Sequence, residues 1–278
     1  MTESGEGGPT PPDEVQDYYA RFPEETRLSG HSRLEFERTK DVLSRALPEP
    51  PCRVVDVGGA SGAYSTWLTD LGYDVHLVDA SPRLVEEARK RANGAKKPIK
   101  TISLGDARQL PRSDASAEAV LVMGPLYHLT EAADRHLALR EAARVLATGG
   151  VLVAAAISRY ASALDGLSRN LAKDSAFRLI RDRDLVDGQH RNPSGKLDYF
   201  TTAYFHRPED LTREIESAGF RDVVVLGVEG PAWMLSDFDA RWADDVLRKD
   251  ILNLARTLER EPSIIGASAH LLGIGVER

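Results

Sequence analysis

The stretch Val54-Val55-Asp56-Val57-Gly58-Gly59-Ala60-Ser61-Gly62 sets an apolar run and one acid ahead of three glycines spread over five positions. Glycine accepts positive φ and carries no Cβ, so a strand ending in such a turn can lay bare backbone against a small molecule. Two phosphate-binding patterns fail here. Gly-x-Gly-x-x-Gly would need glycines where the chain has Ala60 and Ala63, and no Gly-Lys-Ser/Thr follows to build a phosphate loop. The pattern that is met is acid-x-Gly-x-Gly-x-Gly, from which only Ala60 departs, by one methyl group. Carboxylates recur downstream at Asp79, 23 residues after Asp56, and at Asp106 in Gly105-Asp106-Ala107-Arg108. Three titratable residues are candidates for proton removal from a hydroxyl, ring N–H or C–H. They are His128 in Pro125-Leu126-Tyr127-His128, His206 and Glu229. Each also has a plain structural reading: a loop hydrogen bond for His128, a helix start for His206, a turn for Glu229. Histidine, aspartate and glutamate show no convincing metal spacing, and Cys52 stands alone, which excludes an intrachain disulfide and a cysteine metal cluster. No metal is expected.

The elements that must position these residues follow an alternation. Runs at 53–58, 74–80, 99–107 and 117–124 read as strands, with helical periodicity at 61–72 and 82–93 between the first three. A nearly all-apolar strand at 150–158 reads as covered on both faces. Such alternation implies a doubly wound, mostly parallel α/β sheet of the Rossmann-like kind. Seven strands are expected, the last, from His270 onward, antiparallel. Helical stretches at 13–47 broken near Pro23 precede the first strand, and residues 1–12 read as a disordered tail. Two insertions, 159–206 and 229–268, follow sheet strands and read as a helical cap on a single domain 13–278. Within the first, 163–180 reads as one helix and 181–206 as a polar stretch, with His190 solvated.

At the glycine turn the sequence resembles the class I S-adenosylmethionine-dependent methyltransferases, in particular bacterial small-molecule members. The resemblance spans residues 15–278. It implies a cofactor cradle of Asp56, Gly58, Gly59, Ala60 and Gly62. Asp56 would accept from the cofactor ammonium, directly or through water. Asp79, with Ala80 and Ser81 behind it, would take the ribose hydroxyls. Asp106, Ala107 and Arg108 would read the adenine, and Met123 and Gly124 would line the cofactor. The Tyr18-Tyr19 pair would sit on a helix that closes over the sulfonium, and Arg38 would pair with the cofactor carboxylate. S-adenosylhomocysteine is the implied product. Tyr127, Tyr204 and Trp233, with Tyr199, are candidates for an aromatic acceptor pocket.

The 278 residues are 42% hydrophobic and 28% charged, an ordinary globular composition. No apolar run approaches the ~20 residues that span a bilayer, and the N-terminus lacks an apolar signal core. A cytoplasmic protein without a membrane partner is expected, as a monomer or homodimer. The net charge of −7 disfavours nucleic acid. The resulting expectation is methyl transfer by in-line displacement to a small, aromatic or heteroaromatic acceptor through oxygen, nitrogen or carbon. A non-catalytic cofactor-binding sensor or scaffold, a nicotinamide oxidoreductase, and a protein or nucleic-acid methyltransferase remain as alternatives.

Overall fold

Val54, Val55 and Val57 are β-branched and apolar, and they place the first strand, β1 (Arg53–Val57), in the middle of a sheet buried on both faces. The computed structural model describes residues 13–21, 32–95 and 97–278. The predicted tail and the break near Pro23 lie outside them. Two helices, α1 (Asp13–Arg21) and α2 (Ser32–Ala46), precede β1. There follow α3 (Ala63–Leu71), β2 (Asp74–Asp79), α4 (Pro82–Asn93), β3 (Thr101–Leu104) and β4 (Ala117–Val122). After them come α5 (Pro125–His128), α6 (Ala132–Val145) and β5 (Leu146–Ser158).

The order β3-β2-β1-β4-β5 is parallel throughout. The sheet is completed by β8 (Arg221–Gly227) and β9 (His270–Val276), β9 lying antiparallel between β5 and β8. These seven strands are the expected architecture. Alternate residues face opposite layers: Val55, Val57, Val120 and Val122 join the core beneath α6, while Val54, Leu77, Leu121 and Val153 join the core beneath α2 and α3.

The insertion between β5 and β8 holds α7 (Ala161–Ser168), α8 (Ser175–Asp187), β6 (Gln189–His190), β7 (Ala203–His206) and α9 (Pro208–Ser217). The single helix expected over 163–180 is broken at Asn170, which takes φ 57°. In turn α8 runs on to Asp187, through residues that read as polar loop, and stops at Gly188 with φ 75°. The antiparallel β6–β7 pair was not expected either. It is short, and one strand partner, β5, is remote in sequence. Ile157 pairs with His270 on one edge of β5 and with Phe205 on the other. Thus β7 takes up, at the top of β5, the edge that β4 occupies lower down. It thereby roofs the C-terminal ends of the parallel strands, where open α/β sheets bind ligands. The second insertion holds α10 (Phe238–Ala243) and α11 (Asp245–Leu258), split at Asp244, whose Oδ1 accepts from Val246 N at 2.8 Å and Leu247 N at 3.1 Å as an N-cap. No helix of the described residues is long and apolar enough to cross a membrane.

Candidate active site

The glycine turn is emptied mainly by its own protein neighbours. A Cβ on Gly58 would lie 2.5 Å from Pro125 Cδ, and Gly58 holds φ 72°. A Cβ on Gly59 would lie 2.8 Å from Asp56 Oδ2. Ala60, the one departure from glycine, sits at φ 49° in the left-handed region. Its N–H donates to Asp79 Oδ2 at 2.9 Å, while Asp79 Oδ1 accepts from Ser81 N at 2.8 Å. Asp79 therefore ties the turn after β1 to the end of β2, with its carboxylate at the cleft wall.

That wall borders a cleft. Gly58, Gly59, Ala60, Asp79, Ala80 and Ser81, after β1 and β2, line its middle, flanked by Asp106, Ala107 and Arg108 after β3 and by Met123 and Gly124 after β4. Tyr19, Tyr127 and His128 close it. The Arg108 guanidinium is held on Asp106 by Nε–Oδ1 and Nη2–Oδ2 contacts of 2.9 and 2.8 Å, and reaches Asp134 Oδ2 at 2.9 Å. Helix α1 lies over the opening. Thr201 Oγ1 donates to Glu14 O at 3.1 Å, Thr202 Oγ1 donates to the Glu14 carboxylate, and Arg83 donates to Tyr19 O. Tyr19 Oη and His128 Nε2 are 2.9 Å apart. Among the described residues that line the cleft, the one cation, Arg108, is committed to carboxylates. The cradle therefore suits a nucleoside that carries a positive sulfonium and not a phosphate.

Comparison with known proteins decides the family. A methyltransferase-domain model matches residues 55–154. A demethylmenaquinone methyltransferase of Deinococcus radiodurans is 32% identical over 196 residues, which are 68% of this chain and 77% of that protein. The chain belongs to the class I S-adenosylmethionine-dependent methyltransferases. A ubiquinone/menaquinone biosynthesis C-methyltransferase of Caulobacter vibrioides is 28% identical over 209 residues, covering 68% of this chain and 75% of its own. In fold, the chain is similar to a methyltransferase of Thermotoga maritima, with TM-score 0.60, 20% identity and coverage of 95% and 98% of the two chains. Acid-bearing, glycine-turned and free of uncommitted cations, the cleft fits the cofactor of this family.

Several predicted site residues of the methyltransferase lie elsewhere. Arg38 is fully buried, and its guanidinium bonds Glu259 at 2.5 Å, Val228 O at 3.2 Å and Asp41, so it braces α2 against the end of α11. Asp56 is 0% exposed beneath the turn, where Oδ2 accepts from Ser65 Oγ at 2.6 Å and Oδ1 has no hydrogen-bond partner. Burial pushes its carboxyl up to about 6. It supports the turn from below and does not line the cleft. Gly62 lies under the same turn against Ile99 and Leu77, and Tyr18 packs edge-on against Tyr19 and Phe200.

His206 and Tyr204 face away from the cavities. Successive residues of β7 alternate, so Phe205 points toward the cap while its neighbours point to α6 and α9. His206, fully buried, has Nε2 3.1 Å from Glu214 Oε2, and burial lowers its proton affinity. The Tyr204 ring lies between Arg135, 3.7 Å from its centroid, and Arg159. His190, expected in solvent, is buried, with Nδ1 2.9 Å from Asp184 Oδ2, Nε2 2.8 Å from Tyr199 O, and its ring stacked on Phe205.

A second cavity opens beneath the insertions. Tyr127 lines both cavities; the second adds Phe177, Tyr199, Phe200, Phe205 and Trp233. Trp233 Nε1 donates to Ala267 O at 2.9 Å, which fixes the indole face. Glu229 is buried behind this wall. Its Oε2 accepts from Ser268 Oγ at 2.8 Å and His270 N at 3.0 Å, and its Oε1 lies 2.5 Å from His270 Nδ1. Glu35 and His270 complete a cluster whose ligand-type atoms lie within 4.8 Å of one another. The short Glu229–His270 bond engages two of the atoms a metal would need. His270 and Phe200 escaped the sequence reading because nothing in their local spacing joins them to the glycine turn.

Proposed function

We propose that this methyltransferase transfers a methyl group to a small aromatic acceptor seated in the second cavity. The carrying observation is that Tyr127 lines both cavities and that the second is otherwise walled by Phe177, Tyr199, Phe200, Phe205 and Trp233. S-adenosylmethionine supplies an electrophilic methyl carbon on a sulfonium. The chain's task is to hold the acceptor in line with that carbon and keep water out, which for well-oriented reactants accounts for roughly 7–11 kcal/mol of barrier. Asp79 would accept from the ribose hydroxyls while retaining the Ala60 and Ser81 N–H groups, and Asp106 would receive the adenine amino group. Met123 and Gly124 would lie against the cofactor, with Tyr19 over it. The aromatic walls offer offset or edge-on partners to an acceptor ring. Similarity to a demethylmenaquinone methyltransferase of Deinococcus and a ubiquinone/menaquinone biosynthesis C-methyltransferase of Caulobacter supports a hydroxylated, quinol-like acceptor.

The test incubates the purified protein with methyl-labelled S-adenosylmethionine and, under anaerobic conditions, 1,4-dihydroxynaphthalene, catechol or ethanolamine. Label is expected on the aromatic compounds, with a loss of tenfold or more in kcat/KM for Tyr127→Ala. Transfer confined to ethanolamine, by protein that binds S-adenosylhomocysteine, would overturn the aromatic reading.

A further inference from the structure

We propose that His270 is the general base of the acceptor cavity and that Glu229 is its positioning residue. The inference rests on the aromatic acceptor proposed above and narrows it to one bearing an acidic phenolic or enolic hydroxyl. His270 is the first residue of β9 and pairs with Ile157 of β5, so it stands at the C-terminal edge of the parallel strands, where the site is built. Its ring is 27% exposed and lines the aromatic cavity beside Trp233 and Ala269. Glu229, by contrast, is 2% exposed and cannot itself reach an acceptor.

The pairing sets the chemistry of the ring. With Nδ1–H donated to Glu229 Oε1, Nε2 is the basic nitrogen, and the carboxylate at 2.5 Å stabilises the imidazolium that forms when a proton arrives. Glu229 is itself immobilised by Ser268 Oγ and the His270 backbone N–H. Burial works to raise the Glu229 carboxyl, yet the charge of His270 and the bonds from His270 and Ser268 bring it below the ordinary range. Glu35 Oε2, from α2, faces the same ring at 3.9 Å from Nδ1, and Asp165 and Asp198 share the cavity wall. Asp165 and Asp198 are themselves paired with Arg169, at 3.0 and 3.8 Å.

The step balances simply. The acceptor O–H bond breaks, an N–H bond forms at Nε2, and the electron pair stays on the acceptor oxygen. The resulting negative charge faces the imidazolium, whose charge is met by Glu229. His128 is placed for a different duty: it lies in the cofactor cleft with Nε2 shared with Tyr19 Oη at 2.9 Å.

The experiment uses 4-nitrocatechol, whose ionisation is visible by absorbance, bound to the full chain in the presence of S-adenosylhomocysteine. In the wild type the bound phenol should ionise at a pH at least one unit lower than in His270→Gln. Glu229→Gln should fall between the two. S-adenosylhomocysteine affinity within twofold of wild type establishes that each variant is folded. Independently of any variant, histidine-labelled wild-type protein followed by NMR should show one imidazole gaining its proton as the bound nitrocatechol loses its own. Equal ionisation midpoints in wild type and His270→Gln, or no histidine resonance that moves with the nitrocatechol, would overturn the role of His270. Failure of the wild type to bind nitrocatechol while it binds S-adenosylhomocysteine would instead overturn the acceptor cavity, and the base with it.

Discussion

Replacing Asp56 by Asn tests the buried acid beneath the glycine turn. Burial is the main cause that lifts its carboxyl from an ordinary 3.8 to about 6, with the neighbouring charge of Asp79 adding to the lift and the Ser65 hydroxyl opposing it. A folded-state value above the unfolded one means that the protonated form is preferred in the fold. The associated stability is complete below the unfolded value and is lost as pH rises through the folded one. The shift of 6 − 3.8, about 2 units, corresponds to about 3 kcal/mol lost between acid and alkaline limits, about half of it between pH 5 and pH 8. Asn keeps an acceptor for Ser65 and never ionises, but sets an NH₂ where Oδ1 has no partner, a fixed cost of about 1–3 kcal/mol. Urea unfolding followed by circular dichroism from pH 5 to pH 8 should therefore show Asp56→Asn gaining about 1.5 kcal/mol on the wild type as pH rises. The change with pH is diagnostic, because the fixed cost cancels from it. A difference between the two proteins that stays constant within about 0.5 kcal/mol would refute the assignment of a raised, buried carboxyl.

Two other substitutions separate the cleft from its scaffold. Asp79→Ala removes the acceptor of two turn N–H groups and the proposed ribose acceptor, and calorimetry should show S-adenosylhomocysteine affinity falling by about 2 kcal/mol or more, some thirtyfold; a change under threefold would remove Asp79 from the cofactor site. Arg38→Met breaks the buried pair with Glu259, which keeps Arg45 at 2.7 and 2.8 Å, so the loss should be nearer about 2 kcal/mol than the 3–5 typical of a stranded charge. Chemical unfolding measures that loss, and S-adenosylhomocysteine affinity of the folded variant should stay within twofold of wild type.

The candidate cleft was legible because its parts are local. Asp79, Asp106 and Met123 each stand at or just beyond the end of an apolar run, and a parallel sheet brings all such ends to one edge. Ala60 and Gly58 signal their turn by residue type and neighbour. The misplaced residues fail for reasons equally physical. His206 and Phe205 differ by one position on β7, and a strand reverses side-chain direction at every residue, so the cavity received Phe205 and the buried face His206. Arg38 carries the right charge for a cofactor carboxylate, but Glu259, 221 residues away, claims it first.

From sequence alone came the alternation of strands and helices, the glycine turn without a phosphate-binding cation, and the order of acids along successive strands. These depend on hydrophobic period and on residues close in the chain. Tertiary structure decided that β7 roofs the top of β5, that Asp56 is floor and not wall, and that Glu229 and His270 meet behind an aromatic cavity. Such pairings join distant positions, 41 residues apart for Glu229 and His270 and 221 for Arg38 and Glu259. Their partners are selected by the packing of whole layers, which dictates which polar groups are shut off from water together and must satisfy one another.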